Sequence, residues 1–373
     1  MALSRTDTSI VARWWWTVDR LLLSALLSLI AIGFVLILAA SPAVAIRLGL
    51  APLYFIEHQL VYIPPALFIM FVTSLASVEQ VRWMGIVGFV VFLLLSALAI
   101  LVGQDINGAR RWLNVFGVSL QPSEFIKPCY AVLMAWLLTE QKRNPAFRGN
   151  LIAVGATLAL LVVLFLQPNI GLSVIIIAVG LAQFFIAGLS MPLVGAGLAF
   201  GLAGLGLAYV MLPHVAARID HFLDPTGAGN YQIDRALQAF QAGGLFGRGP
   251  GEGVVKTTLP DAHTDFIFAV AGEEFGFIVC LIIVLLFAFV VLRGLSRVFS
   301  ENNFFVMLAG SGILVQFGLQ AVINISVNLR LIPDKGETLP FISYGGSALL
   351  AMALGMGIVL ALTRLHPTLE RRL

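Results

Sequence analysis

The sequence predicts an all-α polytopic membrane protein of about ten transmembrane helices with one long extracytoplasmic loop, and three features of its 373 residues predict it. Hydrophobic residues make up 60% of the chain and charged residues only 11%, where a soluble chain carries about 25% charged residues. Apolar stretches of the roughly 17 to 25 residues needed to cross hydrocarbon as helix recur along nearly its whole length. A single long non-spanning segment, residues 213–265, interrupts them. A large soluble core is excluded, and a net charge of +3 does not describe a nucleic-acid-binding surface.

Taken in order, residues 21–40 form the first span. The following Ser41-Pro42-Ala43-Val44-Ala45 imitates a signal-peptide cleavage site, but the apolar run exceeds the roughly 7 to 15 residues of a signal h-region. Residues 60–76, which contain Pro64 and Pro65, and 84–102 come next. Residues 122–138 make a weaker span carrying Glu124 and Lys127, with Pro122 suited to the first helical position. Residues 151–166, 170–189, 192–212, 266–292, 304–327 and 341–362 complete the ten. Ten spans put both termini on one side. Basic residues there, including Arg82, Lys142, Arg143, Arg148, Arg293 and Arg297, favour the cytoplasm, by twelve Lys or Arg against ten. Residues 213–265 then face outward, and a loop of that length is expected to carry a site. Residues 231–242 have the pattern of a short amphipathic helix at the interface. Cys129 and Cys280 sit in apolar stretches as small buried hydrophobes.

Three polar clusters fall on the outward face and are expected to converge. The first holds Arg110, Arg111 and Trp112, then Glu124 and Lys127, which are three apart and share a helix face. Inside an apolar zone each charge needs a partner, and a mutual ion pair or contact with substrate would supply one. The guanidiniums suit lipid headgroups or bidentate phosphate recognition. The second cluster runs through GGLFGRGPGEG at 243–253 to LPDAHTDFIFAVAGEEFG at 259–276. Asp265 marks its seam with hydrocarbon, where a carboxylate costs up to roughly 2.5–3.5 kcal/mol. The glycines lack a nucleotide-loop ending and read as a flexible turn. His263 and Asp265 alone are poor grounds for a bound metal. Glu273 and Glu274 are expected to pair with polar groups inside the bundle. The third cluster, NISVNLRLIPDKGETLPFISYGGS at 324–347, offers Lys335, Ser343 and Tyr344, and a helix start that favours anions.

These motifs, with NGARRWL, QPSEFIK and DPTGAGNYQ, resemble the SEDS family (shape, elongation, division and sporulation proteins) over nearly the whole chain. KGETLPFISYGGS and LPDAHTDFIFAVAGEE are closer to its FtsW division branch than to its RodA elongation branch. The resemblance implies one ten-helix transmembrane domain over 1–373, lying in the cytoplasmic (inner) membrane. It implies a glycosyltransferase that polymerises lipid II into peptidoglycan glycan strands at the outer face, for cell-wall biogenesis in cell division and cell shape. It carries an essential aspartate onto Asp265, a functional tryptophan onto Trp112 and a polar pair onto Glu124 and Lys127. Arg330, Asp334 and Glu337 depart from the family pattern, which has small, neutral or apolar residues there.

Transfer from an α-linked diphosphate to a β-1,4 link requires inversion at the sugar carbon, hence a base and a diphosphate clamp. Asp265 is the expected base, worth about 10²- to 10⁴-fold in rate. Arg110, Arg111, Lys127 and Lys335 are expected to offset charge on the leaving group, with a divalent cation, Mg or Mn, able to share that task. Trp112, Glu124, His263, Thr264, Ser343 and Tyr344 complete the expected substrate site. Implied partners are the growing glycan strand, a class B penicillin-binding protein, other divisome proteins and membrane lipids, with no nucleic acid. A lipid II flippase, a RodA-type elongation polymerase, a secondary transporter and a structural scaffold are the competing readings. A transporter predicts paired interrupted helices in two halves, a symmetry this sequence lacks.

Overall fold

Among the described residues the apolar stretches singled out above fold mainly as helix, because backbone in hydrocarbon must satisfy its own N–H and C=O groups, but the span expected over 341–362 is helical only from Gly346. The computed structural model describes residues 9–106, 109–115, 117–189, 191–211, 213–223, 231–333 and 336–364. α1 (Ile10–Thr17) leads into α2 (Arg20–Arg47), α3 (Tyr54–Ser74) and α4 (Val78–Val102). α2 has 28 residues, about 42 Å at 1.5 Å per residue, and continues through Pro42, so residues 41–45 are helical.

Between α4 and the next helix the chain departs from the all-helical expectation. β1 (Gln104–Ile106), β2 (Ala109–Val115) and β3 (Val118–Leu120) form a small antiparallel sheet in the order β1-β2-β3. α5 (Pro122–Arg143), α6 (Gly149–Leu166), α7 (Ile170–Ile186) and α8 (Met191–Met211) follow. The segment read as a long loop contains α9 (Pro213–Leu223) and the expected amphipathic helix, α10 (Tyr231–Gly243). α11 (Ile267–Phe299), α12 (Phe304–Asn328) and α13 (Gly346–Leu362) complete the fold. Among the described residues α2, α3, α4, α6, α11 and α12 are long and apolar enough to cross a membrane. α7, α13 and the Gly195–Met211 stretch of α8 are apolar but shorter, and α5 carries Glu124 and Lys127 in its first two turns.

α5 lies among α4, α6, α12 and α13, and all of residues 122–135 are buried. α12 is its main buried partner. A second, smaller core joins Ala40, Val44 and Ala45 of α2 to Phe55, Ile233, Ala236, Ala239, Leu259, Ala262 and Phe266. It seats α10 and the 259–266 segment on the helix bundle.

α11 is not the single span expected over 266–292. Gly276 has φ +78° and ψ −178°, which divides a 33-residue helix into segments 267–275 and 277–299. The cause lies in the glycine-rich segment, whose backbone enters the break. Arg248 N–H donates to Glu273 C=O (3.0 Å) and Gly249 N–H to Glu274 C=O (3.0 Å), while Phe277 N–H donates to Gly244 C=O (2.9 Å). A Cβ at Gly276 would lie 2.4 Å from both Gly247 N and Leu245 O, so only glycine fits. This segment is therefore pinned, correcting its reading as a flexible turn. Segment 277–299 still reaches about 35 Å, enough to span.

Candidate functional site

Residues 261–266 turn tightly into α11, with Thr264 and Phe266 N–H both donating to Asp261 C=O (3.1 and 3.2 Å). Asp265 is left partly exposed, two residues before the first turn of a helix whose N-terminus favours a carboxylate. Its backbone is held from α12. Asn324 Nδ2 and Asn328 Nδ2 each donate to Asp265 C=O at 2.9 Å. Asn324 Nδ2 also donates to Glu337 C=O (2.8 Å), and Asn328 Oδ1 accepts the Ala269 N–H at 3.2 Å, capping α11 from outside. Both amides are buried.

The segment after Gly336 is laced to the same turn. Ser343 Oγ donates to Thr264 C=O (2.6 Å) and accepts from Leu339 N–H (2.8 Å), and Tyr344 N–H donates to His263 C=O (2.9 Å). A methyl group at Gly336 would lie 3.7 Å from Asp265 Oδ2, so this segment borders the carboxylate directly. Gly33 of α2 admits Phe341 C=O, which would lie 2.4 Å from any Cβ there. His263 is buried between Phe55 and Tyr344, with ring centroids 4.2 and 5.4 Å away. Burial first, then the Arg47 charge, lowers its pKa to about 4, so it is a neutral spacer near pH 7. Burial first, then Tyr62 and Tyr54, pushes Tyr344 up to about 12.

Glu124 and Lys127 form the mutual ion pair, at 2.7 Å, and Lys127 has no exposed side-chain surface. Lys127 Nζ also donates to Gln320 Oε1 (3.0 Å), whose Nε2 donates to Thr338 C=O (3.0 Å). The pair thus reaches the Asp265 cluster through α12. Ser347 Oγ adds a further tie, accepting from Gln121 N–H (3.0 Å) and donating to Ser119 C=O (3.2 Å).

Not every expected residue joins this cluster by a described contact. Arg110, about half exposed, lies 3.8 Å from Asp105. Arg111 Nε donates to Gln167 C=O (2.8 Å) and its Nη2 to Pro168 C=O, clamping the turn between α6 and α7. Trp112 is partly exposed on β2, paired with Gln104 of β1. Lys335 and Asp334 lie outside the described residues. Glu273 accepts three backbone N–H groups from Val254, Val255 and Lys256 (2.7, 2.7 and 2.9 Å), and Glu274 pairs with Lys256. Both serve the pinned segment, as expected of groups paired inside the bundle.

Sequence reasoning missed Gln320, Asn324 and Asn328 as site residues, although amides spaced by four on one face of an apolar helix were the available signal. It also missed Arg47, exposed at the end of α2, whose Nη1 donates to Leu259 C=O (3.2 Å). Among the described residues no group of three His, Cys, Asp or Glu side chains gathers to hold a metal ion. Beside the Arg111 clamp opens an apolar groove of about 610 Å³ between α6, α7 and α8, lined by Leu161, Phe165, Ile170, Ile177 and Leu207.

Together these features define an integral membrane protein with a polar cluster at one end of its helix bundle. Residues 19–367 match the cell cycle protein family of FtsW, RodA and SpoVE, and the chain belongs to that family. It is 43% identical to the "Probable peptidoglycan glycosyltransferase FtsW" of Caulobacter vibrioides, covering 98% of this chain and 94% of that one. The protein of the same name from Coxiella burnetii is 35% identical, over 92% of this chain and 96% of that one. Among solved structures, a chain from "Structural coordination of polymerization and crosslinking by a peptidoglycan synthase complex" superimposes with a TM-score of 0.79. It is 27% identical and covers 94% of this chain and 98% of that chain. The rod shape determining protein RodA of Thermus thermophilus gives a TM-score of 0.71 at 26% identity, covering 94% and 97%.

Proposed function

We propose that this chain is an inverting peptidoglycan glycosyltransferase of the FtsW type, polymerising lipid II for septal wall synthesis at the outer face of the cytoplasmic membrane. The observation that carries the reading is the setting of Asp265. A partly exposed carboxylate is positioned at a helix start by two buried amides, bordered by the 336–345 segment, in a chain 43% identical to a relative named as a peptidoglycan glycosyltransferase.

Asp265 takes the proton from the 4-hydroxyl of the acceptor sugar. The hydroxyl oxygen attacks the anomeric carbon of the donor from the face opposite its diphosphate. The new carbon–oxygen bond forms as the bond to the diphosphate breaks, and that electron pair leaves on the diphosphate oxygen. An α-linked donor becomes a β-1,4 link, and the polyprenyl diphosphate departs. Fixing base and acceptor in one geometry removes entropy from the reaction before it starts. Arg110 and Arg47, exposed guanidiniums each with donors to spare beyond their contacts to Asp105 and Leu259 C=O, are proposed to meet the departing charge, with Lys335 added by its position in sequence. Lys127, fully buried, acts by holding α5 against α12. The apolar groove between α6, α7 and α8 has an aliphatic and aromatic lining suited to part of a polyprenyl chain.

A class B transpeptidase is the proposed partner, supported by the solved neighbour in a complex that coordinates polymerization and crosslinking. The test reconstitutes purified chain with lipid II and that transpeptidase, comparing wild type with Asp265→Asn. Loss of glycan strands is expected, by at least about 10²-fold in rate. Strands of equal length made at an equal rate would remove Asp265 from the chemistry. Transbilayer movement of fluorescent lipid II, followed in the same vesicles, is expected to be the same for both proteins.

A further inference from the structure

At the opposite end of the bundle from Asp265, the start of α2 and the last turns of α11 and α13 enclose a second polar cavity, of about 200 Å³. Asp19, Arg20, Arg293, Arg297 and Thr363 line it. Asp19 Oδ1 is taken by the N–H groups of Leu21 and Leu22 (3.1 Å each). Its Oδ2 meets Arg293 Nε at 3.0 Å, Arg293 Nη2 at 2.9 Å and Arg297 Nε at 2.8 Å. A guanidinium has five N–H donors, so one carboxylate oxygen occupies only a minority of those two side chains offer. Both arginines stay partly exposed, at 30% and 40% of their side-chain surface. Among the described residues three guanidiniums line the cavity against one carboxylate, an excess of positive charge.

The surroundings indicate what that charge meets. Trp14 Nε1 donates to Ser74 Oγ (2.7 Å), tying α1 to the end of α3. α1 buries Ala12 and Trp14 and exposes Ile10, Val11 and Trp15, the arrangement of a helix lying in the membrane interface. The Arg20 guanidinium lies 5.1 and 4.6 Å from the ring centroids of Trp15 and Trp16, side chains that favour the headgroup level. The cavity therefore opens at the depth of lipid phosphates, where basic pockets between helices recognise anionic headgroups.

We propose that this cavity binds the phosphate of an anionic phospholipid from the leaflet at this face, with Arg20, Arg293 and Arg297 as its donors and Asp19 as a built-in competitor for the same N–H groups. Unlike the reading of Asp265, this assignment rests on no catalytic step. Its test is native mass spectrometry of the full chain released from mixed micelles of phosphatidylglycerol and phosphatidylcholine.

The expected result is one retained phosphatidylglycerol, enriched about tenfold or more over phosphatidylcholine. Arg20→Gln, at an exposed position, should lower that enrichment. Asp19→Asn keeps the capping oxygen but removes the competing charge, and should raise it. Arg82→Gln removes a partly exposed charge outside the cavity and should change nothing. Equal retention of the two lipids would overturn the proposal. So would an Arg82→Gln effect equal to that of Arg20→Gln, which would mark a diffuse field. Displacement of the lipid by inorganic phosphate would overturn the lipid as occupant.

Discussion

Asn324→Ala tests the geometry around Asp265 without touching the carboxylate. Together with a long 3.4 Å bond its Oδ1 accepts from Asn328 Nδ2, the substitution deletes from a mostly buried helix the two hydrogen bonds Asn324 donates to backbone carbonyls, of 2.9 Å to Asp265 C=O and 2.8 Å to Glu337 C=O. At about 0.5–1.5 kcal/mol net for each, registration of the turn against the 336–345 segment weakens by about 1–3 kcal/mol. That corresponds to roughly 5- to 150-fold in an equilibrium between aligned and misaligned arrangements. The expected outcome in the reconstituted polymerisation assay is a kcat lowered about 10- to 100-fold, with a smaller change in KM for lipid II. Asn324→Asp should be worse than alanine, because it replaces an N–H donor by oxygen facing two carbonyls. Asn328 donates to the same Asp265 oxygen, so the pair should be coupled, with a double-mutant interaction energy of about 0.5–3 kcal/mol. A wild-type kcat for Asn324→Ala, or effects of the two alanines that add to within about 0.5 kcal/mol, would refute the reasoning.

Lys127→Met strands the buried Glu124 carboxylate and should cost about 3–5 kcal/mol, lowering the Tm in detergent. Glu124→Gln with Lys127→Met should recover most of that loss, since no charge is then left unpaired. Gly276→Ala must place a Cβ 2.4 Å from two backbone atoms at φ +78°, and should cost about 2 kcal/mol or more. Faster proteolysis within residues 244–249 would report the released segment. His263 titrates near 4 in the folded chain, because of burial and then Arg47, but near 6.5 when unfolded. Between those values the unfolded chain binds the proton the folded chain refuses, so stability is lost as pH falls through that window. The loss should total about 3 kcal/mol, and thermal melts of His263→Leu should lack that component.

Composition alone was enough to specify a helical membrane protein, because lipid leaves a spanning backbone few choices. Span positions followed from apolar length, and the motif at 259–276 singled out Asp265 because a carboxylate at the edge of hydrocarbon is costly. The ion pair of Glu124 and Lys127 was legible from i,i+3 spacing within one helix. What the chain pattern could not specify were relations between segments far apart in sequence. Asn324 and Asn328 hold a carbonyl about sixty residues earlier, and nothing local distinguishes such amides from polar groups satisfied within their own helix. The break at Gly276 likewise exists because the backbone of residues 244–249 occupies the space, so hydrophobic periodicity continues across it undisturbed. Local chemistry determined which residues are costly to bury, and tertiary packing decided which distant groups compensate that cost and where each charge faces.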